Sequence, residues 1–154
     1  MAIEIERKFL VKNDSWKEVV RKSLSCKQGY LISERKKTVR IRVMGERAFL
    51  TIKGATDGVS RSEYEYEIPM VDAEAMLHLC SDVPIEKTRH YIEYGGMTWE
   101  LDVFEAANAG LIVAEIELTS EEQPFELPPW AGDEVSGDER YYNGCLSKRP
   151  YSRW

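Results

Sequence analysis

The feature that most constrains the fold of this chain is a repeated alternation of ionisable and apolar residues. Side chains two residues apart lie on the same face of a β-strand, so this alternation predicts strands with one charged and one apolar face. Short links at Gly45 and Gly95 connect neighbouring runs, and links of this length join only antiparallel strands. Eight strands are predicted, over residues 2–11, 28–33, 38–44, 47–53, 62–68, 86–94, 97–104 and 111–119.

The polar positions of seven of these runs are almost entirely ionisable. An antiparallel sheet with one face in water is one interpretation of the alternation. A face in water usually also contains Ser, Thr and Gln, so the composition favours a second interpretation, a closed barrel with its charged faces turned inward. Acidic residues dominate the first, fifth, seventh and eighth runs and basic residues the third, fourth and sixth. The lumen of such a barrel would have an anionic wall and a cationic wall.

Three helices are predicted beside the strands. The first opens at Ser15, with Glu18 in the spacing of a capping box. Its predicted buried face consists of Trp16, Val19, Val20 and Leu24. The second begins at Asp72 as N-cap, and a third covers residues 138–146. The expected class is α+β, mainly β: one domain over residues 1–154, with an eight-stranded antiparallel closed barrel, helices packed outside and a C-terminal helix near one end.

A charged lumen indicates the class of ligand. Removing a charge from water costs several kcal/mol, so the lumen must stay wet or hold compensating ligands. A triphosphate carries about four negative charges near neutral pH and needs several cationic donors. The carboxylates would repel that anion but suit a hard divalent cation, Mg²⁺ or Mn²⁺. The bases available as donors are Lys8, Arg40, Arg42, Lys53, Lys87 and Arg89.

Charge and cysteine content exclude other partners and indicate a location. The net charge of −6 argues against nucleic acid or a membrane surface as partner, because both attract an extended positive face. Cys26, Cys80 and Cys145 show neither a CxxC motif nor a zinc-ligand spacing, so free thiols and a cytoplasmic location are expected. A monomer and a homodimer are both compatible with the sequence.

Seven ordered sequence blocks resemble the CYTH superfamily, the triphosphate tunnel metalloenzymes, and in particular their short, single-domain bacterial, inorganic triphosphatase-like members. The resemblance covers nearly the whole chain and implies an eight-stranded antiparallel tunnel. The blocks are Glu4-Ile5-Glu6-Arg7-Lys8, Arg40-Ile41-Arg42, Thr51-Ile52-Lys53-Gly54 with Arg61, Glu63 and Glu65, Glu86-Lys87-Thr88-Arg89, Glu100-Leu101-Asp102-Val103-Phe104, Glu115-Ile116-Glu117-Leu118 and the tail from Trp130 to Asn143.

The resemblance also implies roles for individual residues. Metal ligands would be Glu4, Glu6 and Glu117, with Glu115 supporting the metal or water. Three further lumen acids, Glu63, Glu65 and Asp102, would either bind a second metal or orient basic side chains. Substrate would be held by Lys8, Arg40, Arg42, Lys53, Lys87 and Arg89, and Arg61 either contacts phosphate or lies in water. The residues expected to carry catalysis are Glu4, Glu6, Lys8, Lys87, Glu115 and Glu117.

The reaction implied by the resemblance is metal-dependent hydrolysis of a triphosphate. Inorganic tripolyphosphate, cleaved to pyrophosphate and phosphate, is the expected substrate, and a nucleoside or thiamine triphosphate is the nearest alternative. An adenylate cyclase of the class IV type would share the tunnel but needs an adenine pocket. A non-catalytic polyphosphate or nucleotide binder would bind without releasing phosphate.

Overall fold

A computed structural model describes residues 3–154 of the chain. It contains nine strands and two α-helices among these residues, and the remaining helical segments are short 3₁₀ turns. The strands are β1 (Ile3–Val11), β2 (Lys22–Glu34), β3 (Lys37–Met44), β4 (Arg47–Gly54), β5 (Ser60–Ile68), β6 (Ile85–Tyr94), β7 (Met97–Phe104), β8 (Ile112–Glu117) and β9 (Ala131–Glu134). The α-helices are α1 (Met70–Leu77) and α2 (Asn143–Lys148).

Eight of the strands close into a barrel, as the alternation predicted. Neighbours are hydrogen-bonded in the order β5-β4-β3-β2-β6-β7-β8-β1, and β1 returns to pair with β5. Every pairing is antiparallel. β1 completes the ring because Glu4 lies opposite Arg61 of β5 while Glu6 lies opposite Glu117 of β8. The short β9 was not predicted, and it pairs with β1 beyond the segment that contacts β5.

The turns at Gly45 and Gly95 are tight, as expected. Gly45 and Gly95 both have φ of +59°, and Gly96 has φ of +75°, a left-handed conformation that costs glycine little. These turns join β3 to β4 and β6 to β7 in antiparallel pairs. The predicted hairpins are therefore confirmed.

The second strand is longer than predicted. β2 begins at Lys22, and its first half pairs with β6 between Lys22 opposite Tyr91 and Gln28 opposite Ile85. Leu24, Cys26 and Gln28, which share the inward face of this half, are uncharged, so the charge alternation that identified the other strands is missing here. Tertiary pairing with β6, which a local pattern does not report, extends the strand.

The first predicted helix was wrong. Residues Ser15–Val19 form a single 3₁₀ turn, and Leu24, assigned to its buried face, lies instead in β2. Val19 is 52% exposed, whereas Trp16 is buried and packs on the ring of His90 with centroids 5.0 Å apart. One aromatic anchor therefore holds this segment to the outside of β6, where an amphipathic helix was expected.

The other two helices differ from their predictions in detail. α1 begins at Met70, and its N-cap is Pro69, three residues before the expected N-cap Asp72. Its buried contact is Ala73, packed in one cluster with Ile41 of β3, while Leu79 is 73% exposed. The predicted helix over residues 138–146 is divided into a 3₁₀ turn at Glu139–Tyr141 and α2 at Asn143–Lys148.

The apolar strand faces point outward and are covered. The largest cluster joins Phe9, Trp99 and Trp130, with Phe125 packed against it. Ring centroids of Trp99 and Trp130 are 5.6 Å apart in an edge-on arrangement. Replacing so large a buried side chain by Ala costs about 3–5 kcal/mol, so this outer core contributes much of the barrel's stability. Among residues 3–154, no helix combines the length and apolar character needed to cross a membrane.

Candidate active site in the barrel lumen

The barrel encloses one large cavity of about 730 Å³ that is lined by charged side chains of both signs. Most of the site residues predicted from the sequence meet there, although they come from different strands. Those lining the cavity are Glu4, Glu6, Lys8, Arg40, Arg42, Lys53, Arg61, Glu63, Glu65, Arg89, Glu115 and Glu117. Lys87 and Asp102, also within the described residues, are 1% exposed and lie beneath the cavity surface.

Carboxylates crowd the wall formed by β1 and β8. Glu6 lies directly opposite Glu117 in the antiparallel register, an arrangement that like charges disfavour. Burial, together with Glu115 and Glu4, raises the pKa of Glu6 to about 8. Burial and the nearby Glu4 also raise the pKa of Glu117. The ionised carboxylates of this wall therefore destabilise one another, and a bound cation would stabilise them.

Two lysines partly compensate this acidic wall. Lys53 Nζ donates to both oxygens of Glu4, at 3.0 and 2.8 Å. Lys8 Nζ lies 3.6 Å from Glu115 and 3.9 Å from Glu6. Burial alone would raise the pKa of Glu115, but Lys8 and Arg89 outweigh burial and hold that pKa at about 2. Glu115 is therefore ionised near neutral pH, whereas burial and the neighbouring carboxylates favour the protonated form of Glu6.

Three arginines of the cavity have unused donors. Arg40 and Arg42 lie on neighbouring inward positions of β3, and Arg61 is the second residue of β5, opposite Glu4 of β1. The Nε atoms of all three are buried and have no hydrogen-bond partner within residues 3–154. Burial, with Arg40 and Arg89 nearby, lowers the pKa of Arg42. A buried donor without a partner costs about 1–3 kcal/mol, so an anion accepting from these groups would bind favourably.

Glu65 links the arginines to the barrel wall. Its Oε2 accepts from Arg42 Nη2 at 3.3 Å and from Thr51 Oγ1 at 2.9 Å, and it lies 3.6 Å from Arg40 Nη2. Arg40 Nη2 also donates to Thr51 Oγ1 at 3.2 Å. One carboxylate thus contacts two arginines. The alternation of charges predicted only that these side chains face the lumen, not that they contact one another.

The C-terminal segment closes part of the cavity and was missed as a source of site residues. Lys8 Nζ lies 5.3 Å from the ring centroid of Tyr142, and Lys87 Nζ lies 3.5 Å from Asn143 Oδ1. Ser136 Oγ accepts from the backbone N–H of Lys8 at 2.9 Å. These residues belong to loops and helix ends, where a strand period carries no information. Glu100 was also missed as a site residue, although it shares the inward face of β7 with Asp102.

Comparison with known proteins identifies the family. The model of the CYTH domain matches residues 2–142. The chain belongs to the CYTH family. A protein of Acetivibrio thermocellus named inorganic triphosphatase is 45% identical over 155 residues, which cover 100% of this chain and 99% of that protein. An inorganic triphosphatase of Nitrosomonas europaea is 37% identical over 148 residues, covering 94% of this chain and 96% of that protein.

A solved structure agrees with this CYTH assignment. The crystal structure of an inorganic triphosphatase superposes with a TM-score of 0.68 at 35% identity, covering 96% of this chain and 95% of the other. Membership of the CYTH family and the closed, charged barrel expected from the sequence are both confirmed.

CYTH triphosphatases are typically metal-dependent, and the donor set of this lumen fits a divalent cation. The acids on β1 and β8 supply hard carboxylate oxygens, and burial raises the pKa of Glu4, Glu6 and Glu117 even with lysines nearby. Within the described part of the chain, no three acidic, His or Cys side chains stand ready-made for one ion. Lys53 lies against Glu4, and Lys8 lies against Glu6 and Glu115.

Proposed function

We propose that this CYTH protein is an inorganic triphosphatase that hydrolyses tripolyphosphate to pyrophosphate and phosphate with Mg²⁺ or Mn²⁺. The observation that carries the proposal is the pairing, in one enclosed cavity, of buried arginine donors without partners and carboxylates that disfavour their own charge. An anion alone would suit only the arginines, and a cation alone would suit only the carboxylates. A metal-bound triphosphate suits both.

The substrate side of the proposal rests on donors that surround the cavity. At about 4 Å, one contact between unit charges is worth roughly 1 kcal/mol in water but about 4 kcal/mol at an effective dielectric of 20, so enclosure strengthens the grip. Arginine adds fork geometry that matches phosphate oxygens. The residues proposed to hold the triphosphate are Lys8, Arg40, Arg42, Lys53, Arg61 and Arg89, all of which line the cavity.

The metal side of the proposal uses the acids of β1 and β8. Glu4, Glu6 and Glu117 would hold a divalent cation, and Glu115 supports it or its water. When bound, the cation supplies charge stabilisation of a phosphoryl oxygen and activation of water. Glu63 would assist Lys53, from which it is separated by 3.5 Å, and Glu65 would orient the arginines.

The chain's own residues then favour hydrolysis. An attacking water forms a bond to the terminal phosphorus while the anhydride bond to the remaining pyrophosphate breaks. The charge that spreads over the transferred phosphoryl oxygens is stabilised by the arginines of β3 and by Lys8. Glu115, which is ionised near neutral pH, can accept a hydrogen bond from the attacking water and orient it.

Residues 1–154 form one CYTH domain, and its partner is a small triphosphate. Cys26, Cys80 and Cys145 are all free thiols, and a cytoplasmic location follows from that as part of the proposal.

One product analysis tests the proposal. Purified protein is incubated with tripolyphosphate, ATP or thiamine triphosphate, with Mg²⁺, with Mn²⁺ or with a chelator, and orthophosphate, pyrophosphate and cyclic AMP are quantified. We expect equal amounts of orthophosphate and pyrophosphate from tripolyphosphate, and no turnover with the chelator. Glu4→Gln and Glu117→Gln should abolish turnover, while Glu74→Gln on the exposed face of α1 should not. Binding without release of phosphate would overturn the proposal, and cyclic AMP as the main product would indicate a cyclase.

A further inference from the structure

Asp102 of β7 is a buried carboxylate held between two cationic side chains. Its Oδ1 accepts from Arg89 Nε at 2.8 Å, and its Oδ2 accepts from Arg89 Nη2 at 2.9 Å. Lys87 Nζ lies 2.7 Å from the same Oδ2. The side chain is 1% exposed and lies beneath the cavity surface. Three of the roughly four acceptor sites of the Asp102 carboxylate are therefore used by Lys87 and Arg89, and the side chain does not reach the cavity surface.

Lys87 depends on Asp102 for its only charged contact within residues 3–154. Its side chain is 1% exposed, and its other contacts are Asn143 Oδ1 at 3.5 Å and the ring of Phe104 at 5.4 Å. An ammonium group buried without a counterion is strongly destabilised. The ion pair with Asp102 thus fixes the position of the Lys87 ammonium group.

Arg89 is held by the same carboxylate but reaches the cavity. A guanidinium has five N–H groups. Two of them donate to Asp102, and Nη1 donates a third to Glu100 Oε2 at 2.6 Å. Two N–H groups remain, and Arg89 lines the cavity. A bidentate contact fixes the plane of the guanidinium, so Asp102 fixes the direction in which the remaining donors point.

We infer that Asp102 is a positioning residue of the triphosphate site, which acts through Arg89 and Lys87 and does not bind metal. The inference rests on the proposed function and chooses between the two roles that the family resemblance left open for Asp102, binding a second metal or orienting basic side chains. Lys87 and Arg89 occupy successive inward positions of β6, opposite Phe104 and Asp102 of β7. One carboxylate on the neighbouring strand can therefore set both cations at once.

The test compares Asp102→Asn, Lys87→Met and the double variant with wild type. Asparagine keeps the shape of the side chain but removes its charge, and Asp133→Asn on exposed β9 serves as the matched control. Turnover of tripolyphosphate is measured against substrate and against Mg²⁺, and the folded fraction is checked by circular dichroism. The ¹⁵N signal of the Arg89 Nε–H group is followed in ligand-free protein.

We expect Asp102→Asn to lower kcat by up to about 100-fold, the cost of misplacing substrate-positioning groups by about 1 Å. The Mg²⁺ concentration for half-maximal activity should stay at the wild-type value. The Arg89 Nε–H signal should shift and exchange faster with solvent, a change that does not need turnover. The loss in the double variant should fall well short of the product of the two single losses, because both substitutions disturb the same unit.

Three results would overturn the inference. A large rise in the Mg²⁺ requirement of Asp102→Asn, with kcat restored at high Mg²⁺, would make Asp102 a metal ligand. Fully multiplicative losses would mean that Asp102 and Lys87 act independently, and an unchanged Arg89 signal would remove the positioning role. If Asp102→Asn alone does not fold, Lys87→Met with and without Asp102→Asn gives the comparison, since the double variant lacks the orphaned ammonium. Absence of turnover in wild type would count against the proposed function, while the Arg89 signal still tests the positioning role.

Discussion

Lys53 of β4 and Glu4 of β1 form an ion pair across the lumen, between strands that are not neighbours in the barrel. Nζ lies 2.8 and 3.0 Å from the two carboxylate oxygens, and the side chains are 14% and 8% exposed. Lys53, which is proposed to donate hydrogen bonds to a phosphate, thus neutralises Glu4, which is proposed to bind the metal. Binding of a metal-bound triphosphate would separate the pair, because phosphate takes the ammonium while Glu4 becomes free for the cation.

This ion pair predicts opposite effects of Lys53→Met on the two ligands. Without the ammonium, Glu4 should bind Mn²⁺ alone about tenfold more tightly, a change of about 1.4 kcal/mol. Tripolyphosphate should bind about tenfold more weakly, because one cationic donor is missing. Both affinities can be measured by isothermal titration calorimetry.

The matched control for this prediction is Lys27→Met, which removes the same charge from an exposed outward position of β2. We expect neither affinity to change in that variant. Weaker Mn²⁺ binding by Lys53→Met would contradict the prediction, because it would mean that Lys53 supports the metal site.

Glu6→Gln should stabilise the ligand-free protein, and the gain should grow with pH. Burial and the neighbouring Glu115 and Glu4 raise the pKa of Glu6 to about 8, against 4.5 for an ordinary glutamate. Between these two values the folded state binds a proton that the unfolded state has lost, so the free energy of unfolding falls as pH rises. Above about pH 8 the full cost of the ionised side chain remains.

The measurement is the urea midpoint of wild type and Glu6→Gln at pH 5 and pH 8.5 without metal. The variant should gain stability relative to wild type mainly at the higher pH, and should lose metal-dependent turnover at both. Glu126→Gln, an exposed substitution of the same kind, controls for net charge. An equal gain at both pH values would show that the Glu6 carboxylate is not strained by its neighbours.

The fold could be predicted from the sequence as far as the charge alternation extended. Arg40 and Arg42 on β3 revealed their strand directly, because inward positions of that strand are charged. The first half of β2 was not predicted because Leu24, Cys26 and Gln28 on its inward face carry no charge. The Ser15 segment satisfied a helix-start pattern, but it forms a 3₁₀ turn of which Trp16 is the buried residue.

The candidate site could be predicted as a set of residues but not as contacts. A shared face of β7 predicted that Asp102 points inward, yet nothing local reveals that Lys87 and Arg89 of the neighbouring β6 both pair with it. The position of each inward side chain along the barrel axis depends on the register between strands that are distant in sequence, which a local pattern does not give. The contribution of Tyr142 also required tertiary structure, because it lies between a 3₁₀ turn and α2.

Glu65→Gln should weaken substrate binding without changing the metal requirement. Glu65 contacts Arg42 and Thr51 directly and lies 3.6 Å from Arg40, so its loss leaves two like-charged arginines less constrained. We expect KM for tripolyphosphate to rise about tenfold, the size of a lost charged hydrogen bond of roughly 1.5 kcal/mol, with the half-activating Mg²⁺ concentration unchanged.

The control for Glu65 lies two residues along the same strand. Glu67 pairs with Arg47 at 2.7 Å on the exposed part of β5, so Glu67→Gln should leave KM at the wild-type value. A raised Mg²⁺ requirement in Glu65→Gln would assign Glu65 to a second metal instead of to the arginines.

The packing of α1 against the barrel gives a test of stability that is separate from catalysis. A Cβ added to Gly29 of β2 would lie 2.8 Å from Cys80 Sγ and 3.1 Å from its Cβ, so the segment after α1 leaves no room for a larger residue. Gly29→Ala should therefore lower the free energy of unfolding by about 1–3 kcal/mol, the usual cost of overpacking. Adding Cys80→Ala removes the opposing sulfur and should restore part of the loss. Gly137→Ala, which meets nothing within 4 Å, is the control, and equal losses with and without Cys80→Ala in urea unfolding would contradict this origin of the strain.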